Sequence, residues 1–331
     1  MQGYILRRIA TMIPLWILLS IITFFLVELP PGDVVSNQLI AFRAQNLEVD
    51  DAAIARMRQQ WGLDDPFLTR YLRWIENVLV RGDLGQSVEG RSNLDVLSET
   101  IPYTAVIGIS AFVLAVGLAI PLGVYSATHQ YSPFDYIITF LAFIGLGAPG
   151  WLLAIIVAWA SLYFFDFVPL GINSLQYFGE PWSWGKVIDT AKHLWAPILL
   201  TALPALGAVI RIVRNNLLDQ LRQQYVVTAR AKGLPEGKLV QKYPVKIAIN
   251  PLISELGLLV YGIVSQQGLI GIVLGLPTLG PLLLNSLMVQ DMVLAGTILL
   301  IYASLIWIST LVSDVLLAWF DPRIRYEGRS R

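Results

Sequence analysis

The sequence predicts an all-α membrane protein with six transmembrane helices, and three observations predict it. Of 331 residues, 56% are hydrophobic and only 14% charged, against roughly 25% charged in a soluble globular domain. Apolar runs recur that are long enough, at about 1.5 Å per residue, to cross a hydrocarbon core about 30 Å thick. Lysine and arginine gather in alternate connections, as they do where short basic flanks are retained in the cytoplasm.

The first run, Ile9 to Leu29, is uncharged until Glu28 and continues into Pro30-Pro31-Gly32-Asp33. A cleaved leader has a shorter apolar core and a small-x-small cleavage site, so this is read as an uncleaved span. Tyr103 to Ala127, Tyr136 to Phe165, Pro197 to Val213, Pro251 to Leu274 and Val293 to Trp319 complete the set. The fourth is short and carries Pro204 and Gly207, a kink that neighbouring helices can accommodate. In the third, Gly145, Gly147, Pro149 and Gly150 mark either a bend or a close helix crossing. The crossing is preferred, because small residues let backbones approach.

Net charge is zero, but its distribution is uneven. Arg7 and Arg8, then Arg211, Arg214, Arg222, Arg230, Lys232, Lys238, Lys242 and Lys246, then Arg323, Arg325, Arg329 and Arg331 fall on one side of the predicted topology. Lys186 and Lys192 fall on the other, and the arginines of the long first connection are offset by its acids. Both termini are therefore expected in the cytoplasm. The organisation that follows is an N-terminus and first span over 1–29, an extracytoplasmic helical segment over 30–102, and a core of five spans over 103–331 with a cytoplasmic loop at 214–250.

Residues 30–102 are too many for a plain connection. Asp50 and Asp51 suit the start of a helix that Gly62 ends, and Asp65-Pro66 suits the start of another. In that second helix Phe67, Leu68, Tyr71, Leu72, Ile75, Val78 and Leu79 recur at helical spacing and form one apolar stripe. The stripe is expected on the membrane helices or a neighbouring helix, with an extracytoplasmic protein as the alternative for another of its faces.

Between the fourth and fifth spans, Gly233 and Pro235 separate two short helical stretches in a basic segment whose small residues, Thr228, Ala229, Ala231 and Gly233, leave its break unobstructed. An interfacial helix held by anionic membrane lipid would be basic too, but it has no use for a small-residue break. Nucleic acid is not expected, since Tyr225 and Tyr243 are the segment's only stacking groups. The chain has no cysteine, which removes disulfides, thiolate metal sites and a cysteine nucleophile. His129 is expected to be solvated, and His193 has no partner histidine at helical spacing. Trp182, Trp184 and Trp195 suit interfacial anchors. Neither H-E-x-x-H nor G-x-S-x-G occurs, which counts against an intramembrane hydrolase, and no phosphate-binding G-x-x-x-x-G-K-[ST] is present. A passive channel is the other rival.

Thr228 to Leu234, followed by Asn250-Pro251, resembles the EAA loop of transmembrane subunits of ATP-binding-cassette importers, in the dipeptide, oligopeptide and nickel permease branch. Pro30-Pro31-Gly32-Asp33, Arg81 to Ser87, Leu276 to Leu283 and Phe320 to Glu327 are similar to that family's other marks in the same order. The resemblance covers essentially the whole chain. It implies the architecture of a type I importer permease, a second homologous permease subunit, two cytoplasmic ATPase subunits, and an extracytoplasmic solute-binding protein. It also implies no cofactor on this chain, with ATP and magnesium on the ATPase subunits. The solute would be a peptide by default, with oligosaccharide or nickel as alternatives.

Carried over residue by residue, Ala229 and Gly233 match the motif's second alanine and its glycine, whereas its acidic and first alanine positions fall on Val227 and Thr228. The ATPase-coupling residues this implies are Thr228, Ala229, Arg230, Ala231, Lys232 and Gly233. Polar residues inside spans cost free energy unless they face the bundle or a wet cavity. Ser254 and Glu255 lie near the cytoplasmic end of the fifth span, and Ser265, Gln266 and Gln267 lie beyond its middle. The latter three are the candidates for the translocation path or the second permease, with bonding inside the bundle as the alternative.

Overall fold

The computed structural model describes residues 2–28, 35, 50–62, 64–87 and 90–320, and helix dominates them. The Pro30-Pro31-Gly32-Asp33 mark, the C-terminal arginines and all but Phe320 of the C-terminal mark lie outside these residues. In chain order the helices are α1 (Gln2–Glu28), α2 (Asp51–Trp61), α3 (Phe67–Glu76), α4 (Asn93–Thr128), α5 (Pro133–Gly147), α6 (Gly150–Phe165) and α7 (Trp184–Leu221). They continue with α8 (Gln224–Ala231), α9 (Glu236–Lys242), α10 (Pro244–Ala248), α11 (Asn250–Ser254), α12 (Leu256–Leu274), α13 (Leu279–Met288) and α14 (Met292–Phe320).

The helices divide into two compact units, one formed by 1–9, 103–277 and 306–331, the other by 10–102 and 278–305. Among the described residues, five helices are long and apolar enough to cross a membrane, and six spans result if a bent pair forms one.

That pair is the third expected span. Instead of one helix over Tyr136 to Phe165, α5 and α6 meet at 110°. Pro149 disfavours helical backbone at the preceding residue, and Ala148 is accordingly extended at φ −86°, ψ 130°. The crossing reading also holds, one turn earlier. A Cβ added to Gly145 would lie 2.5 Å from the Leu203 carbonyl oxygen, and one added to Gly207 would lie 2.4 Å from that of Ala142. These two glycines let α5 and α7 touch backbone to backbone, and bend and close contact coexist in one segment.

The fourth span is much longer than expected. α7 is a single helix of 38 residues that contains both Pro197 and Pro204. Its apolar face supplies Leu194, Leu200, Val209, Ile210 and Val213 to the core, packed against Ile107 and Ala119 of α4, Ile138 and Ala142 of α5, and Ile270 and Leu274 of α12. The fifth span breaks at Glu255, where α11 ends, and resumes as α12. α14 closes on this joint: the Ser313 hydroxyl donates to the Ile253 carbonyl at 2.5 Å, and Gly257 lies against Thr310. Arg8 of α1 donates to Asp314 of α14 at 2.5 Å.

In the other unit, α2 ends at Gly62 as expected, with φ 62° in the left-handed region that glycine enters at no steric cost. The stripe on α3 divides. Phe24 of α1 meets Phe67, Tyr71 and Trp74 at centroid distances of 5.5, 5.7 and 5.3 Å. The buried Tyr71 hydroxyl bonds Ser20 at 2.7 Å, and Arg70 pairs with Glu28 at 2.9 Å. Leu68, Leu72 and Leu79 stay exposed. The Arg81 to Ser87 mark forms a tight turn with positive φ at Gly82 and Gly85, and the Asn93 amide closes it by donating to the Leu84 carbonyl at 2.9 Å. α13, which hydropathy did not single out, packs Leu279, Leu282 and Leu283 against Leu97, Leu294 and Ile298.

Candidate functional site

The basic segment folds as its turn chemistry requires. α8 and α9 flank a break at which Gly233 takes φ 77° and Pro235 precedes the first turn of α9. Val226, Leu239 and Val240 are buried between the two short helices, with Val124 of α4 and Leu221 of α7 packed against them. The hairpin is therefore seated on two long helices, and its opposite side is exposed among the described residues.

Of the residues expected to couple to an ATPase, Thr228, Arg230, Ala231, Lys232 and Gly233 are exposed. Ala229 instead packs into the hairpin's apolar interior. A Cβ on Gly233 would meet nothing within 4 Å, so the surface at the break is open. Val227, which stands where the motif has its acid, is exposed as well. Arg230 reaches across the break to Glu236, donating from Nε at 3.0 Å and from a terminal nitrogen at 2.5 Å. These bonds hold the Glu236 carboxyl below the ordinary carboxylate range and raise the Arg230 guanidinium further. Glu236, the one acid of the α8–α9 hairpin, thus braces its turn, and the lysines carry its positive surface.

The polar residues of α12 separate. Ser265 and Gln266 line a cavity of ≈ 420 Å³ between α7 and the α11–α12 stretch, together with Thr201, Glu255 and Tyr261. Gln267 points the other way and is 1% exposed. Its amide nitrogen donates to the Thr104 carbonyl at 3.2 Å, while its amide oxygen has no partner among the described residues. At about 3.6 residues per turn, three consecutive positions sweep about 200° of the helix circumference, which is why the three expected path residues could not all face one space. Gln266 also has its own recess: a Cβ on Gly150 would sit 1.7 Å from its amide nitrogen.

One constellation escaped the sequence reading. Asp135, 3% exposed at the start of α5, receives Arg214 of α7 at 3.2 Å and 3.1 Å. Ser126, at the end of α4, donates to the same carboxylate and accepts from Arg214 at 2.9 Å. The Tyr131 backbone N–H donates to it at 3.0 Å and the Thr139 hydroxyl, one turn along α5, at 3.4 Å. The visible signal was Ser132-Pro133-Phe134-Asp135, a helix start with an acid at the third position; Ser132 does cap α5, accepting from the Asp135 N–H at 3.1 Å. Its partner lay 79 positions away. His193 is buried, with Nδ1 2.8 Å from the Asp189 carbonyl and its ring against Phe167, while His129 is exposed as expected.

Residues 119–326 match the family model described as the inner membrane component of binding-protein-dependent transport systems, and residues 1–97 match the N-terminal model of the same membrane component. Among curated proteins, the oligopeptide transport system permease protein AppB of Bacillus subtilis is 30% identical over 329 residues, covering 98% of this chain and all of its own length. The peptidoglycan transport system permease protein YejB of Agrobacterium fabrum is 29% identical, with 99% of this chain and 100% of that protein aligned. The oligopeptide permease OppB of Escherichia coli K12 is also 29% identical, over 98% of this chain and 100% of its own.

Proposed function

The chain belongs to the family of inner membrane components of binding-protein-dependent transport systems, and from that premise we propose that it is the permease half of an ATP-driven peptide importer. As a member it is a multi-pass inner membrane transport component and not an enzyme, in a family that works with ATPase and solute-binding partners. Peptide as the solute is supported by the oligopeptide permeases among its relatives.

In this reading the exposed patch at Thr228, Arg230, Ala231, Lys232 and Gly233 docks on one of two cytoplasmic ATPase subunits, which hold ATP and magnesium. A second homologous permease completes the pore, a solute-binding protein docks on 30–102, and 103–331 forms the core with 214–250 and both termini in the cytoplasm. Ser265 and Gln266 line the path.

The observation that carries the reading is the hairpin's two-sidedness. One side is locked onto α4 and α7 by Val226, Leu239 and Val240, and the other presents a glycine with open space around it. A partner gripping the open side moves both long helices, because the buried side leaves no slack between them. Replacing Gly233 by alanine and by tryptophan tests this, since both suffer the same left-handed backbone strain and only tryptophan fills the docking space. Uptake retained by Gly233→Ala and lost by Gly233→Trp, with ATP hydrolysis continuing in both, is expected. Equal uptake by the two would count against docking at the break. Uptake undiminished with hydrolysis-dead ATPase subunits would favour a passive channel instead.

A further inference from the structure

We propose that Glu255 receives the positively charged amino end of the solute in the groove between α7 and the α11–α12 stretch. The inference rests on the peptide reading above and names the chemical end of the peptide that this wall recognises.

Glu255 stands at the joint between α11 and α12, immediately before a membrane-length apolar helix. Glu255 lines the ≈ 420 Å³ cavity, and its carboxylate has no hydrogen-bond or ion-pair partner among the described residues. Among those residues no lysine or arginine lines the cavity. Glu255 is exposed on the groove with no cation of the described residues beside it, whereas Arg8, Arg70, Arg214 and Arg230 each hold an acid, so this carboxylate is open to a cation that the solute brings.

The far end of the groove is polar but uncharged, formed by Ser265 and the Gln266 amide, which can serve a peptide's backbone groups. Thr201, 1% exposed in the facing wall, has a hydroxyl with no partner among the described residues, which buried hydroxyls seldom tolerate. From position 255 to position 266 the helix rises about 16 Å. An extended peptide of about five residues spans that distance at roughly 3.3 Å each. Charge at one end, neutral hydrogen-bonding groups at the other, and apolar walls between them define a direction: amino end at Glu255.

The test uses the complete complex in proteoliposomes with its binding protein and two pentapeptides that differ only by an acetyl group on the amino end. Glu255→Gln is expected to lower uptake of the free-amine peptide about tenfold relative to the unaltered complex, to leave uptake of the acetylated one unchanged, and to be rescued by Glu255→Asp. A second measurement exploits the absence of cysteine from the chain. In a Ser265→Cys background, a thiol-reactive group on the peptide's carboxyl end is expected to label the chain and the same group on the amino end is not, a bias that Glu255→Gln abolishes. Equal loss of both peptides, no loss of either, or labelling from both ends alike would overturn the inference and leave the peptide reading standing. Failure of the unaltered complex to carry either peptide would overturn both.

Discussion

Arg214 of α7 holds Asp135 of α5 through two hydrogen bonds, at 3.2 and 3.1 Å, across 79 residues of sequence. The carboxylate is almost wholly buried, and Ser126, the Thr139 hydroxyl and the Tyr131 N–H also donate to it. The ends of α4, α5 and α7 are thereby tied at one point, close in sequence to the hairpin that α7 feeds.

Breaking that tie from one side strands a buried charge, which costs about 3–5 kcal/mol in a typical protein. Asp135→Asn and Arg214→Gln are each expected to lower the thermal midpoint of the purified complex by several degrees, with the double variant losing less than the two single losses combined. A thermal double-mutant cycle measures this. Additive losses would mean that the two side chains stabilise the fold independently.

Gly145 and Gly207 are expected to be intolerant of alanine. Each added methyl would fall within 2.5 Å of a backbone carbonyl oxygen, and backbone cannot rotate aside as a side chain can. Overpacking of this kind costs about 1–3 kcal/mol. Gly147, around which there is open space, is the control: Gly147→Ala should leave the midpoint within about one degree of the unaltered chain.

Gly150→Ala should behave differently from both. Its methyl collides with the tip of the Gln266 side chain, which is flexible, so stability is expected to change little while Gln266 is driven from its recess. The measurement is transport kinetics: a shift in the half-saturating solute concentration at unchanged complex stability. An unchanged transport profile would show that the position of Gln266 does not matter to the path.

The brace between Arg230 and Glu236 makes the hairpin sensitive to acid. Because the folded carboxyl titrates below its ordinary value of 4.5, its stabilising contribution is full above that value and is lost as pH falls through the lowered one. Both groups are well exposed, so the effect is modest and weakens with salt. Hydrogen exchange across 224–242 at decreasing pH should show faster opening, and Glu236→Gln should remove the pH dependence.

The sequence revealed most of the local structure and little of what lies far apart along the chain. The break at Gly233 and Pro235, the stop at Gly62 and the start of α3 after Pro66 follow from backbone preferences of single residues, which need no neighbours to express. The Asp135 and Arg214 pair, the burial of Gln267 against Thr104 and the division of the α3 stripe around Phe24 depend on which helices meet, and one sequence does not state this. α7 outran its expected ends because Ser183 caps it far outside the apolar stretch, accepting from the Lys186 N–H at 3.2 Å. Apolarity marks where a helix crosses a membrane, and capping marks where it begins.

The length of α7 has a mechanical consequence. Its backbone lies directly against that of α5 at Gly207, and from there it extends about 21 Å to Leu221 and about 34 Å to Trp184 at the usual rise. A beam turning on such a fulcrum swings its two tips in opposite senses, the longer arm travelling about 1.6 times as far. A small inward pull at the hairpin end would thus emerge enlarged and reversed at the other, and one see-saw could shut one mouth of a pore as it opens the opposite one.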